Sequence, residues 1–397
     1  MFLKDINFDE DSYLYLERYV NNGSPSGFTK VYTVSDATQP SSLTKGFYLH
    51  ELKVGSTSTI KDYGCKPAFF KWDMLTHPDM ETYVDDAIVS RQALYVSPTA
   101  SSRTVKCIED SGWFVKLAYK GLIGRIDRRI REQQAISSVE VSSIIENAIN
   151  NNIVSNKFYF LREPFARTIT HNDETWGIVL REAQPYPQNQ RIKFQIPAFS
   201  LFSKDQHNPN DPSIIVQLIQ YHKITDIESY LLENILFPIY DSYFTLLISC
   251  GLQLECHAQN TLFAIDDNFN IVGIVAKDAE SIDKDLYLMD TLGINHDIKS
   301  LDYKCLHKTD YNYQIMHSFM FDFKLGEYLV SPIINEVATH FVISTDSIQQ
   351  RIKTYNQQYI KQLPKDFFPD EWYYYENILH DRTKKRPYIS KNNPKYR

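Results

Sequence analysis

Two polar stretches carry an imidazole, two amides, three carboxylates and an ammonium: Glu255-Cys256-His257-Ala258-Gln259-Asn260 and Lys277-Asp278-Ala279-Glu280. Between them lies an apolar segment with a polar middle. Asn260 to Ile265 reads as one strand, Asp266 to Asn270 as a turn, and Ile271 to Val275 as the returning strand. A tight turn brings the second strand back to the base of the first. His257, Asn260 and Asp278 are therefore expected in one small volume. An amide oxygen and carboxylates are hard donors that suit Mg²⁺ bridging nucleotide phosphates. An imidazole can hydrogen-bond a phosphate or orient a ligand. The plainer reading makes Asn260 a turn cap and His257 a satisfied interior residue. Five polar residues in fixed order around two apolar strands favour a site.

The elements that must hold this cluster can be placed coarsely. Residues 1–95 mix short strands, loops and one or two helices, and read as a small N-terminal lobe. Residues 96–200 are richer in strands, with candidates at Trp113–Leu117 and Trp176–Arg181. Ser137 to Asn150 reads as a helix, with Ser137 and Ser138 as caps and Val141, Ile144, Ile145 and Ile149 at helical spacing. Ala183 to Arg191 reads as an exposed loop. Residues 201–383 read as mostly helical: one helix starts at Asp211-Pro212-Ser213, and a long apolar one runs from Ile227 to Cys250, interrupted at Pro238. Residues 384–397 are basic, rich in Pro and Asn, and read as a flexible tail. The fold class expected is α+β, with a strand-rich central lobe and a helical C-terminal lobe that carries the hairpin.

Composition narrows the functions. A net charge of −7 over 397 residues argues against nucleic acid as the bulk partner. The five cysteines form no C-x-x-C pair and are odd in number, so reduced, cytoplasmic thiols are expected. The acidic start MFLKDINFDEDSYLY lacks a secretory pattern. The apolar stretch from Tyr243 to Leu254 is too short to span a bilayer, so no membrane partner is expected.

Kinase-like phosphotransferases also end a catalytic loop in Asn and follow it with a hairpin and a metal-binding Asp. Their loop needs a catalytic Asp before the Asn. Here Ala258 and Gln259 stand between His257 and Asn260, and no Gly-rich phosphate loop appears upstream. A second family fits better. Glu255, His257, Gln259, Asn260 and, after the hairpin, Asp278 resemble the Glu-x-His-x-Gln-Asn…Arg-Asp pattern of the siderophore synthetases that work without a peptide-synthetase assembly line, the aerobactin-synthetase-like ligases. Lys277 stands where that family has Arg. Three further motifs occur in the family's order. Ser101-Ser102-Arg103-Thr104 resembles its Ser-x-Arg-Thr segment. Lys116-Leu117, then Ile123 and Arg128, resembles its Lys-Leu…Ile-Thr…Arg, with Gly124 in place of Thr. Leu180-Arg181-Glu182-Ala183 resembles its Arg-Glu-Asn, with Ala183 in place of Asn. The front departs, since only Thr76-His77-Pro78 answers the family's paired His-Pro segment.

The resemblance implies a thumb, fingers and palm architecture, with the 1–95 lobe a reduced thumb, and an ATP- and Mg²⁺-dependent ligase. It would adenylate a citrate-like or other carboxylate and pass it to an amine or hydroxyl, in siderophore or related biosynthesis. It further implies Ser101, Arg103, Thr104, Lys116 and Arg128 on phosphates, Arg181 on the acid, and His257, Gln259, Asn260 and Lys277 around the nucleotide. Glu255, Asn260, Asp278 and Glu280 would serve the metal. Lys116, Arg128, Arg181 and His257 would carry the chemistry, and a homodimer would be usual. The alternatives are a non-catalytic or partner-dependent reduced member and a kinase-like phosphotransferase.

Overall fold

A computed structural model describes residues 2–21, 38–40, 45–53, 58–83, 88–123, 126–310, 312–374 and 388–397. Gly124 and Arg125, beside the Arg128 motif, lie outside the described residues, as do residues 384–387 of the expected tail.

Helix α1 (Glu10–Tyr19) starts where the Asp9 carboxylate accepts from the Ser12 N–H at 2.8 Å. Strands β1 (Phe47–Lys53), β2 (Thr59–Gly64), β3 (Met74–Thr76), β4 (Ile88–Pro98), β5 (Thr104–Cys107) and β6 (Trp113–Leu117) follow. Next come a small hairpin of β7 (Tyr119–Ile123) and β8 (Ile126–Arg128), helix α2 (Glu132–Asn150), and strands β9 (Phe158–Phe160), β10 (Phe165–His171) and β11 (Glu174–Glu182). Eight strands make one antiparallel sheet in the order β2-β10-β11-β6-β5-β4-β1-β3.

The chain then runs through β12 (Phe194–Pro197), α3 (Ala198–Phe202), α4 (Ile214–Tyr221) and α5 (Ile227–Leu231), a π-helical turn Leu232–Leu236, and α6 (Phe237–Cys250). The π turn sits just before Pro238 and absorbs the backbone disruption that proline imposes. This continuous helix, Ile227–Cys250, is long and apolar enough by composition to cross a bilayer, yet most of it is buried within the protein core. Short strand β13 (Leu252–Gln253) leads to the hairpin of β14 (Thr261–Ile265) and β15 (Ile271–Ala276), then β16 (Asp283–Asp285), α7 (Leu286–Leu292), β17 (Cys305–Leu306), α8 (Tyr313–Ser318), a π-helical stretch Phe319–Val330, α9 (Ser331–His340), α10 (Thr345–Ile360), β18 (Trp372–Tyr374) and β19 (Ile389–Lys391). A second sheet, β12-β14-β15-β9, is built around the hairpin.

The fold is α+β, as the pattern of elements implies. The expected boundaries are corrected in three places. A break at residue 95 would cut β4, and β1 to β4 belong to the same sheet as β5, β6, β10 and β11, so residues 1–95 are no separate lobe. Strand β9, inside the 96–200 block, pairs in parallel with β15 of the C-terminal part. Residues 388–397 are no loose end. Tyr396 is buried, with its hydroxyl 2.7 Å from Ser331 Oγ, and Arg397 Nε lies 2.9 Å from Asp322 Oδ2. Helix α2 begins five residues before Ser137, where the Gln134 side chain accepts from the Arg131 N–H at 2.8 Å. Ser137 and Ser138 are buried within it, and Ser137 Oγ accepts from Lys284 Nζ at 2.7 Å.

Candidate active site

Strand alternation decides which side chains face the site. In β6, Val115 and Leu117 join Leu94, Val96, Val105, Ile178 and Leu180 in an apolar core on one side of the large sheet. Phe114 and Lys116 therefore point to the other side. Register pairs Lys116 with Thr104 on β5 and with Val179 on β11, and Phe114 with Arg181. Thr104, Lys116 and Arg181 thus share one face. Arg103 comes from the turn before β5. Within that turn the Thr104 N–H donates to Ser101 Oγ at 3.0 Å, and Ser102 takes a left-handed backbone at φ 63°.

The hairpin approaches this face from the second sheet. The Asp266 carboxylate accepts from the backbone N–H of Asn268 and Asn270 at 3.0 and 2.9 Å, which closes the turn. At its base the Lys277 N–H donates to the Asn260 carbonyl at 3.0 Å. Asp278 then adopts φ 77°, ψ 65°, a conformation uncommon outside glycine. This kink ends β15 and aims the Asp278 carboxylate at the large sheet.

The two halves meet as an ion cluster. Lys116 Nζ bonds Asp278 Oδ1 and lies 2.7 Å from Glu280 Oε2. Arg181 Nη2 donates to Asp278 Oδ1 at 2.7 Å and to Glu163 Oε1 at 2.5 Å. Arg103 reaches Glu280 at 3.6 Å and donates from Nη1 to the Arg128 carbonyl at 3.0 Å. Gln134 Nε2 and the Tyr303 hydroxyl also donate to Glu280 Oε1, at 2.8 and 3.1 Å. Burial pushes the Asp278 pKa up, but Lys116 and Arg181 outweigh it and hold the carboxyl well below the usual range. Glu280 is likewise lowered, with burial opposed by Lys116 and Arg103. Burial and the neighbouring Arg103 lower the Arg128 pKa, against the pull of Glu280, Glu255 and Asp278. Arg103, Lys116, Arg128 and Arg181 thus gather against the carboxylates of Asp278, Glu280 and Glu163.

His257 is buried, and burial outweighs Glu255 to bring its pKa down to about 4. Its Nδ1 accepts from the Gln259 N–H at 3.2 Å, so the neutral ring carries its proton on Nε2, the nitrogen 3.9 Å from Glu255. Glu255 Oε1 sits 3.0 Å from Lys324 Nζ. Burial raises the Glu255 pKa, while Lys324, His257 and Lys304 together bring it to about 2. Asn260 Nδ2 donates to Ser281 Oγ at 3.1 Å. Gln259 is half-buried beside them.

The site thus joins Arg103, Lys116, Arg128, Arg181, Asp278 and Glu280, with His257 and Glu255 as a neighbouring pair. Ser101 is engaged in shaping its own turn. Lys277 points to Glu17, at 2.9 Å. Glu17, Gln134, Glu163, Tyr303 and Lys324 are contributors that motif reading missed. Each is a partner of a motif residue rather than part of a motif, and the helix expected from Ser137 stopped short of Gln134.

Among the described residues no group of three or more His, Cys, Asp or Glu is placed to hold a metal ion by itself. The donor chemistry still fits Mg²⁺ brought in with a nucleotide. Glu280 Oε2 is a buried carboxylate oxygen whose neighbours are the Lys116 and Arg103 cations, and Asp278 shares its Lys116 partner. Phosphate oxygens would have to complete the coordination.

Residues 65–202 match the model of the IucA / IucC family. No curated protein matches the chain in sequence. Solved structures share its fold. The petrobactin biosynthesis protein AsbB from Bacillus anthracis str. Sterne superposes with a TM-score of 0.66 at 14% identity, over 88% of this chain and 68% of that one. The ATP-bound aerobactin synthetase IucA from a hypervirulent pathotype of Klebsiella pneumoniae gives 0.64 at 14% identity, over 98% and 80%. Aerobactin synthetase IucC from the same source gives 0.62 at 14%, over 90% and 66%. The chain therefore shares the fold of these three proteins. Over residues 65–202, about a third of its length, the chain is similar to the IucA / IucC family, the group its four motifs resemble.

Proposed function

We propose that this protein is an ATP-dependent ligase, acting in the cytoplasm, that activates a carboxylic acid as its adenylate and transfers it to an amine or hydroxyl in siderophore or related biosynthesis. The observation that carries this reading is the convergence of Arg103, Lys116, Arg128 and Arg181 on Asp278 and Glu280 at the junction of two sheets. The aerobactin synthetase IucA, which shares this fold, holds ATP in its solved structure, which supports placing nucleotide here.

In the first step an oxygen of the acid attacks the α-phosphorus of ATP, the α–β P–O bond breaks, and pyrophosphate leaves. In the second the nucleophile adds to the acyl carbon, loses its proton, and AMP departs. Arg103, Lys116 and Arg128 hold the phosphates and balance the charge that builds on them in a site where cations are already oriented. Arg181, fixed by Glu163, orients the acid. His257 is neutral at pH 7 and serves as a hydrogen-bond donor through Nε2. Asp278, Glu280 and the Asn260 amide oxygen would hold Mg²⁺. The ion would neutralise phosphate charge. Glu255 is left to its Lys324 partner.

The test is product analysis with ATP and a panel of polycarboxylates, amines and amino alcohols. Pyrophosphate and AMP should appear together, and ADP alone would overturn the ligase reading. Asp278→Asn keeps a side chain that tolerates the left-handed backbone but removes the charge. It should lower turnover on the order of 100-fold while leaving the fold intact.

A further inference from the structure

Helix α1 lies across the same face of the large sheet that carries Lys116 and Arg181. Its contacts recur at i, i+3 and i+7. Glu10 Oε1 is 3.2 Å from Lys106 Nζ, the Tyr13 ring meets Phe114 edge-on at 6.0 Å, and Glu17 is buried at 1% exposure. Glu17 has the most unusual surroundings. Its Oε1 accepts from the Tyr13 hydroxyl at 2.7 Å and from Lys277 Nζ at 2.9 Å, and its Oε2 accepts from the Ala100 N–H at 3.1 Å. Ala100 belongs to the turn that presents Arg103. Lys277 immediately precedes Asp278. One carboxylate therefore ties the phosphate-facing turn of the large sheet to the acidic loop after the hairpin.

We propose that Glu17 is the positioning residue that locks these two walls of the nucleotide site together, so that the Arg103 turn and the Asp278 loop close on the same triphosphate. The inference rests on the ligase reading for the identity of the guest. The physical basis is the absence of any substitute. A buried carboxylate with three donors cannot be replaced by solvent, and a shift of either wall would strand a charge. Glu17 touches no reacting atom and acts through Ala100 and Lys277.

The test compares Glu17→Gln with Glu10→Gln, which lies on the same face of the same helix but contacts Lys106. Glu17→Gln should raise the KM for ATP roughly tenfold or more, with the KM for the acid little changed. Glu10→Gln should leave both near wild type. Adding Lys277→Gln to Glu17→Gln should weaken ATP binding little further, because both changes break the same tie. Equal effects of the two helix variants, or a lowered melting temperature with unaltered ATP affinity, would reduce Glu17 to a packing residue. Calorimetric titration with Mg·ATP separates the two claims. Wild-type protein that binds ATP but releases only ADP overturns the ligase reading and leaves the Glu17 comparison readable. Wild-type protein that binds no ATP overturns both.

Discussion

Histidines 77 and 257 make stability depend on pH. Burial takes each down to about 4 from an ordinary value of 6.5, against the opposing pull of Asp79 and of Glu255 respectively. The folded state therefore holds both rings neutral, and its advantage is full above pH 6.5. As pH falls towards 4 the unfolded chain takes up protons first and that advantage drains away. At pH 5 each ring should cost about 2 kcal/mol relative to pH 7. Asp322 works the other way, because burial raises it to about 6 despite Arg397, so it recovers part of the loss. Denaturant titrations at pH 7 and pH 5 should show a net loss of stability on acidification. His257→Asn should reduce that difference by about 2 kcal/mol, and an unchanged difference would mean that the ring is solvated. The residues of the ion cluster were legible as types and spacing. Their partners were not. Glu17 sits in EDSYLYLERY among other acids that look like an exposed helix face, and nothing local shows that it is buried.

The hairpin was the most legible element, because two apolar runs flank a turn of Asp and Asn. Its packing was not. Gly273 lies in β15 where a Cβ would stand 2.2 Å from the Lys157 carbonyl oxygen and 2.8 Å from the Tyr159 ring. Only glycine lets β15 approach β9 so closely. Gly273→Ala should cost at least about 2 kcal/mol in chemical denaturation. It should also weaken ATP binding, because β15 leads straight into Asp278. Retained stability would place the two strands further apart. Helix α2 shows a different limit. Ser137 and Ser138 look like caps by type, but the chain is already helical there, and Ser137 Oγ instead accepts a hydrogen bond from buried Lys284.

At the scale of the molecule, the α+β class could be read from strand patterns giving way to helical ones, whereas the sheet order could not. The strands on either side of residue 95 are consecutive in one sheet through long-range pairing that no local pattern encodes. The C-terminal segment misled for a related reason. Its Lys, Pro and Asn content reads as solvated, yet β19 pairs with β18, and Tyr396 and Arg397 are docked on the helical core. Arg397→Ala would leave the buried Asp322 carboxylate without its cation and should cost about 3–5 kcal/mol at pH 8. The penalty should shrink at pH 5, where Asp322 can take a proton, and thermal melts at the two pH values would show it. The contacts that close the site also span great lengths of chain. Lys116 and Asp278 are 162 residues apart, and Glu17 and Lys277 are 260 apart. Joining parts so far apart closes long loops, and that entropy must be met before the contacts reward it. While a half-made chain emerges from the ribosome, Lys116 and Arg181 wait without their Asp278 partner until the later part has been made.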